Sequence, residues 1–138
     1  MTSAARYAYA LLAWVFLVGL IIQVFLAGLG LFASAQNFAL HVELGWILHL
    51  APLLVLLAAA LSRAGRRHVL WAAALAGVVF AIPIFAIFRA DMPVVAAVHP
   101  VAAMVGFGLA AMVALNSLVA LRAPTGSPLA PATDRRER

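Results

Sequence analysis

Residues 7–32 form an apolar run, YAYALLAWVFLVGLIIQVFLAGLGLF, that contains no charged side chain. A helix of roughly 20 apolar residues spans the core of a bilayer, so this run is long enough to cross it. Similar runs cover 38–61, 68–88 and 94–121, with short polar or proline-containing segments between them. Short connections make successive helices antiparallel neighbours. We therefore predict an all-α, up-down-up-down bundle of four transmembrane helices over residues 1–122.

The amino-acid composition points to the same class of protein. The 138-residue chain is 67% hydrophobic and 9% charged, and its mean hydropathy is +1.14. A soluble domain is about half apolar and a quarter charged, so this is predicted to be an integral membrane protein. The chain has no cysteine, which excludes disulfides, thiolate metal sites and cysteine catalysis.

The distribution of arginines predicts how the bundle is oriented. All the basic residues are arginines, and in the predicted topology all except Arg89 lie on one side of the membrane. Arginine accumulates on the cytoplasmic side, so both termini and a polar, Pro- and Arg-rich tail at 123–138 are predicted to be cytoplasmic. This topology explains the net charge of +5 without a nucleic-acid partner.

His68 follows three of the arginines and is predicted to face solvent or lipid headgroups. Abundant alanine, with arginine in place of lysine, indicates a bacterial source and hence the bacterial cytoplasmic membrane.

Several polar groups interrupt the apolar runs near the predicted outer surface. The stretch HVELGWILH carries His41, Glu43 and His49 in the second run, and Gln23 and His99 lie in the first and fourth runs. Ionisable groups at membrane depth are costly, and they usually face the bundle interior and mark a functional site. These residues are therefore the candidates for a site.

Two neutral imidazoles that face each other across a four-helix core can ligate one haem iron, and burial favours the neutral form. His41 and His99 both lie near the outer ends of spans that run in the same direction, so they are the predicted ligand pair. Ligation by His49 and His99 is an alternative that the sequence leaves open. The spare histidine is then expected to bond a haem propionate or to be structural.

Other residues are assigned to the predicted site by their positions. Gln23 and the small residue Gly45 are expected to line it, with Gly45 leaving room for a flat macrocycle. Arg89 is expected to bind a haem propionate or to form an ion pair with Glu43 or Asp91. A different site is also compatible with the sequence, because imidazoles and carboxylates suit zinc or a similar ion. In that site, Glu43 and Asp91 join the two histidines at the outer rim.

The segments IIQVFLAGLGLF, LHVELGWILH and VHPVAAMVGFGLA resemble a family of small, uncharacterised four-span bacterial membrane proteins that is common in actinobacteria. The resemblance covers about residues 7–121. A glutamine-containing helix followed by one that opens with histidine also resembles half of haem A synthase and, more widely, the four-helix b-type cytochromes. That resemblance implies haem ligands at His41 and His99. The chain departs from haem A synthase, because it has one four-helix unit and no evident catalytic acid, and from the di-haem cytochromes, because it has no second histidine pair. The resemblance therefore implies at most one haem and no enzyme activity.

The sequence thus predicts a membrane-embedded, b-type cytochrome-like protein that binds one haem b through two histidines. We expect it to transfer electrons near the outer face, with a quinone or another redox membrane protein as partner, and we predict no catalytic residue. A cofactor-free accessory subunit of a larger membrane complex, or of a homo-oligomer, is the main alternative. The metal site at the outer rim is a further alternative.

Overall fold

The structure, a computed structural model, describes residues 2–122, and the predicted cytoplasmic tail 123–138 lies outside the described residues. The described part of the chain is helical throughout apart from short connections. Its helices are α1 (Thr2–Phe32), α2 (Phe38–Leu61), α3 (Arg66–Ile87), α4 (Pro93–Ala96) and α5 (Val98–Arg122), with one turn of 3₁₀ helix at Ala35–Asn37.

Four helical segments are long and apolar enough to cross a membrane, with α4 and α5 together forming the fourth. The prediction of a four-span, all-α bundle in a multi-pass membrane protein is confirmed. Helix α1 begins five residues before the predicted span, at Thr2. The segment TSAAR contains no glycine or proline, so the helix extends past the end of the apolar run.

The turn between α2 and α3 depends on backbone conformations that most residues avoid. Arg63 has φ of 50° and Gly65 has φ of 109°. Glycine lacks a Cβ and adopts positive φ without strain, which explains its place immediately before α3. Ser62 is fully buried at the end of α2, where its hydroxyl donates to the Ala59 carbonyl at 2.7 Å. The tight turn brings α3 back antiparallel to α2.

The fourth span differs from the predicted continuous helix because it is interrupted at Ala97, between α4 and α5. Pro100 explains the interruption. Proline has no N–H to donate to the carbonyl four residues earlier, which is that of Ala96, and its ring clashes with that carbonyl. The break lies two residues before His99, so it affects how this histidine enters the bundle.

The order of packing around the bundle is α1, α2, α3 and α5, and each of these helices contacts the next, with α5 closing the ring on α1. The pairs α1/α3 and α2/α5 therefore face each other across the two diagonals. Helices α2 and α5 run in the same direction, so their first turns lie at the same end. We call this end, which carries the 3₁₀ turn, the Asn37 end, and we call the opposite one the Gly65 end.

The packed core lies in the half of the bundle nearer the Gly65 end. It includes fully buried Tyr9, Phe16, Val55, Leu75 and Val113. In the other half, residues 38–47, 80–87 and 93–105 contribute no buried side chain. The fully buried side chains therefore lie toward the Gly65 end, whereas His41 and His99 lie among half-buried and exposed side chains.

Candidate functional site

His41 and His99 lie close together in the interior near the Asn37 end. Their ring centroids are 6.4 Å apart, with an angle of 69° between the ring planes, and both side chains are half-buried. They come from α2 and α5, which are diagonal partners without direct backbone contact, so each ring must reach toward the bundle axis. The structure thus brings together the two histidines that the sequence analysis paired.

Each of these histidines is held by a main-chain carbonyl on a neighbouring helix. His41 Nδ1 lies 3.1 Å from the Gln23 carbonyl oxygen on α1, and His99 Nδ1 lies 3.0 Å from the Ile82 carbonyl oxygen on α3. A carbonyl oxygen can only accept, so Nδ1 carries the proton in both rings. In the neutral imidazole the Nε2 atom then has a free lone pair. Both rings are therefore in the tautomer that ligates a metal through Nε2 while a main-chain carbonyl fixes the ring.

Gln23 makes a second hydrogen bond to the same partner. Its side-chain Nε2 donates to the His41 carbonyl oxygen at 2.6 Å, so Gln23 and His41 bind each other twice across the α1/α2 interface. If the amide of Gln23 were turned over, its Oε1 atom would face the His41 carbonyl oxygen, and both atoms are acceptors. The hydrogen bond therefore fixes the orientation of the amide. The Gln23 Oε1 atom is buried and has no hydrogen-bond partner among the described residues.

Neighbouring side chains occupy the space beside the glycines in this region. A Cβ at Gly45 would lie 2.9 Å from Gln23 Nε2, and one at Gly30 would lie 2.6 Å from the Phe38 ring. Gly45 therefore lets the Gln23 amide approach α2 rather than leaving open room for a macrocycle, which is the use that the sequence analysis gave it. This is the ordinary role of small residues between membrane helices.

His49 lies eight residues beyond His41 on α2 and has different neighbours. Its ring packs on Phe80 of α3, with centroids 4.1 Å apart, and contacts Trp46 edge-on at 6.0 Å. The histidine ring on α2 that contacts His99 is that of His41, whereas the His49 ring packs on Phe80. The geometry therefore favours His41 over His49 as the partner of His99.

The charged residues at this end lie on the surface. Arg89, Glu43 and Asp91 are all exposed, and no ion pair joins Arg89 to either acid within residues 2–122. Nor do three or more His, Asp or Glu side chains come together as a metal-ion site in that part of the chain. The four-ligand site at the rim is not assembled there, and the assignment of Arg89 to a propionate stays a prediction.

Two features of the site were absent from the sequence analysis. The Ile82 carbonyl that binds His99 is a main-chain group, so its residue type carries no signal. The helix break at Ala97 had a signal in the proline of the VHP motif, because a proline two or more turns inside a span interrupts the hydrogen-bond ladder. That motif was used only to identify the histidine.

The chain matches the model of a protein family. The model of DUF6220, described as a family of unknown function, matches residues 23–91, which begin at Gln23 and include His41 and His49. No curated protein and no solved structure matches the chain. The matched segment contains α2 and α3 and the second half of α1, but it stops before His99.

Proposed function

We propose a function for this chain from its own residues, because the chain belongs to the DUF6220 family, whose function is unknown. The protein binds one haem b through His41 and His99 and carries electrons within the membrane. The observation that supports this is the His41–His99 pair itself. Two imidazoles from diagonal helices lie 6.4 Å apart, and each has its Nδ1 hydrogen-bonded to a main-chain carbonyl.

His41 and His99 would hold the haem iron, one imidazole from each of two diagonal helices. Their ring centroids lie 6.4 Å apart, and Nε2 is the unprotonated nitrogen of each neutral ring.

The protein's own groups prepare the two ligands. The Gln23 and Ile82 carbonyls hold the rings with the proton on Nδ1 and the lone pair on Nε2, and hydrogen bonds of this kind strengthen a ligand and fix its orientation. The Gln23 amide ties the His41 main chain to α1. Arg89 is exposed at the same end and would bind a propionate of the haem. When held by these two histidines, haem would supply one-electron transfer rather than oxygen chemistry.

The proposed partners follow from the position of the site near one end of the bundle. With the arginine-rich Gly65 end in the cytoplasm, the histidine pair lies near the outer face of a bacterial cytoplasmic membrane. The electron partner is a quinone dissolved in the bilayer or another redox membrane protein. Both can approach the site without crossing the packed half of the bundle.

Absorption spectroscopy tests the proposal directly. The full chain, expressed with a haem precursor and purified in detergent, should show a Soret band, a reduced-minus-oxidised b-type spectrum and one haem per chain. His41→Ala and His99→Ala should each remove the band. His49→Ala, on the same helix but packed on Phe80, is the matched control and should retain it.

The control outcomes separate the possible failures. A wild-type protein without a Soret band, produced with sufficient haem, would contradict the proposal. Loss of the band in His49→Ala but not in His41→Ala would assign the ligands differently. Size-exclusion profiles of all variants show whether a lost spectrum reflects a lost ligand or a protein that does not fold.

A second candidate function has its own observation. The same hydrogen bonds join α1 to α2 and α3 to α5, so both histidines also connect neighbouring helices without any cofactor. This favours a cofactor-free accessory subunit of a larger membrane complex or of a homo-oligomer. It predicts that His41→Ala and His99→Ala lower thermal stability in a protein that has no chromophore, and that native purification recovers the chain with partner subunits.

A further inference from the structure

A second ring pair crosses the interior at the Gly65 end, on the other diagonal of the bundle. Tyr9 on α1 and His68 on α3 meet edge-on, with ring centroids 5.9 Å apart and ring planes at 87°. His68 was expected to face solvent or headgroups, but its Nδ1 is buried. The ring turns inward because α3 begins at Arg66, so His68 already lies in its first turn, against the core.

Both side chains in this pair have a polar atom without a partner. The Tyr9 side chain is fully buried, and its hydroxyl forms no hydrogen bond with the described residues. The Nδ1 atom of His68 is likewise buried and makes none. Buried polar groups in proteins are nearly always hydrogen-bonded, either to protein or to an ordered water. Two such groups, on contacting rings from facing helices, can be satisfied together by one shared partner.

We propose that one water molecule is bound between the Tyr9 hydroxyl and His68 Nδ1 and joins α1 to α3 through the bundle interior. A phenol hydroxyl both donates and accepts, and a histidine nitrogen does one or the other, so the water has two polar neighbours. Two to four such neighbours are what an ordered internal water requires.

The surroundings select a ligand as small as water. Tyr9 belongs to the packed core together with Ala13, Phe16 and Ala72, which are all at most 2% exposed. A quinone ring or a lipid headgroup would have to displace several of these side chains. Water reaches the site from the nearby end of the bundle, where Arg66 and Arg67 are exposed.

The sign of a stability change tests the inference. Tyr9→Phe removes only the hydroxyl. If the hydroxyl has no partner, its removal should raise the melting temperature in detergent, because an unsatisfied buried group is lost. If a bound water satisfies it, Tyr9→Phe should lower the melting temperature by about 3–6 °C. Tyr7→Phe is the matched control, because Tyr7 is 67% exposed on the same helix and should change little.

Coupling to His68 identifies the other end of the bridge. In a His68→Ala background, the effect of Tyr9→Phe should shrink to that of the Tyr7→Phe control, since the water has lost its second neighbour. An unchanged effect in that background would overturn the assignment to His68. A melting temperature that rises or stays constant in Tyr9→Phe would overturn the bound water.

Isotope exchange distinguishes water from a direct Tyr9–His68 hydrogen bond. An O–H stretching band in the infrared spectrum should shift to lower frequency in H₂¹⁸O and should be absent from Tyr9→Phe. If no ¹⁸O-sensitive band depends on Tyr9, the two side chains bond directly and the proposal fails. None of these measurements depends on haem, so the outcome is independent of the proposed function.

Discussion

Gln23 and His41 each bind the other's main-chain carbonyl with a side chain, at 2.6 Å and 3.1 Å. One hydrogen bond depends on the glutamine side chain, whereas the other depends only on the histidine ring and on the α1 backbone. The orientation of His41 is therefore determined by the position of α1 even when residue 23 changes. This separation allows the two bonds to be tested independently.

Gln23→Leu should reduce stability without removing the ligand. The variant loses the amide donor to the His41 carbonyl, and we expect a cost of about 0.5–1.5 kcal/mol in the free energy of unfolding. Haem absorbance should be retained, because the Gln23 main-chain carbonyl still binds His41 Nδ1. Thermal unfolding and a Soret titration in detergent measure both quantities. Complete loss of absorbance from a folded Gln23→Leu protein would contradict the role of the main-chain carbonyl.

Gly45→Ala should displace the Gln23 amide. The added Cβ would lie 2.9 Å from Gln23 Nε2, so the amide has to move away from the His41 carbonyl. We expect a lower melting temperature than in Gly77→Ala. No heavy atom lies within 4 Å of a Cβ at Gly77, so there alanine should stabilise the helix by up to about 1 kcal/mol. Equal responses of the two variants would show that Gly45 does not position Gln23.

Gly30→Ala should be more disruptive, because the added Cβ meets a rigid ring. It would lie 2.6–2.8 Å from atoms of the Phe38 ring, so α1 and the start of α2 must separate. Overpacking of this kind costs about 1–3 kcal/mol. Phe38→Ala removes the ring and should suppress the effect, so that Gly30→Ala is tolerated in that background. Thermal unfolding of the four proteins of this cycle provides the measurement, and additive effects would argue against the contact.

Pro100→Ala should weaken haem binding while restoring a continuous helix. Alanine restores an N–H for the Ala96 carbonyl, so α4 and α5 can join into one helix. His99 then enters the bundle at a different angle to the Ile82 carbonyl, and we expect haem affinity to fall roughly tenfold, as for other changes around a ligand. Pro52→Ala, in α2 and away from both ligands, is the control. Unchanged affinity in Pro100→Ala would mean that the helix break does not set the position of His99.

The orientation of the bundle can be tested with single cysteines, because the chain has none of its own. Gln36→Cys lies in the connection at the Asn37 end, and Ser3→Cys lies near the other end; both positions are exposed. With arginines on the cytoplasmic side, Gln36→Cys should react with a membrane-impermeant maleimide on spheroplasts. Ser3→Cys should react only after permeabilisation, and the opposite pattern would invert the topology.

The spans were predictable because their signal is length and hydrophobicity, which a chain carries locally. Helix α2 covers Phe38–Leu61, the range expected from the apolar run. The break at Ala97 was missed because the prediction followed hydrophobicity through the fourth span and gave Pro100 no weight. The local effect of a proline on the hydrogen-bond ladder was therefore available in the sequence, unlike the contacts between helices.

The neighbours of the glycines could not be predicted from the sequence. A small residue in a helix indicates that another group packs closely against it, but it does not identify that group. Gly45 was compatible with room for a cofactor, and only the packed helices show that Gln23 fills that space, as Phe38 fills the space beside Gly30. The partner of a glycine is set by the rotation of two helices about their axes, which composition does not encode.

The sequence alone determined that the chain crosses a membrane four times, because burying a helix in lipid depends on the apolar character of its own residues. It also marked His41 and His99 as costly groups that need an interior position. Only the tertiary structure decided that these two rings come together while His49 and His68 pack on Phe80 and Tyr9. The rotation and neighbours of each helix decide which side chains meet, and these are fixed by contacts between residues far apart in the chain.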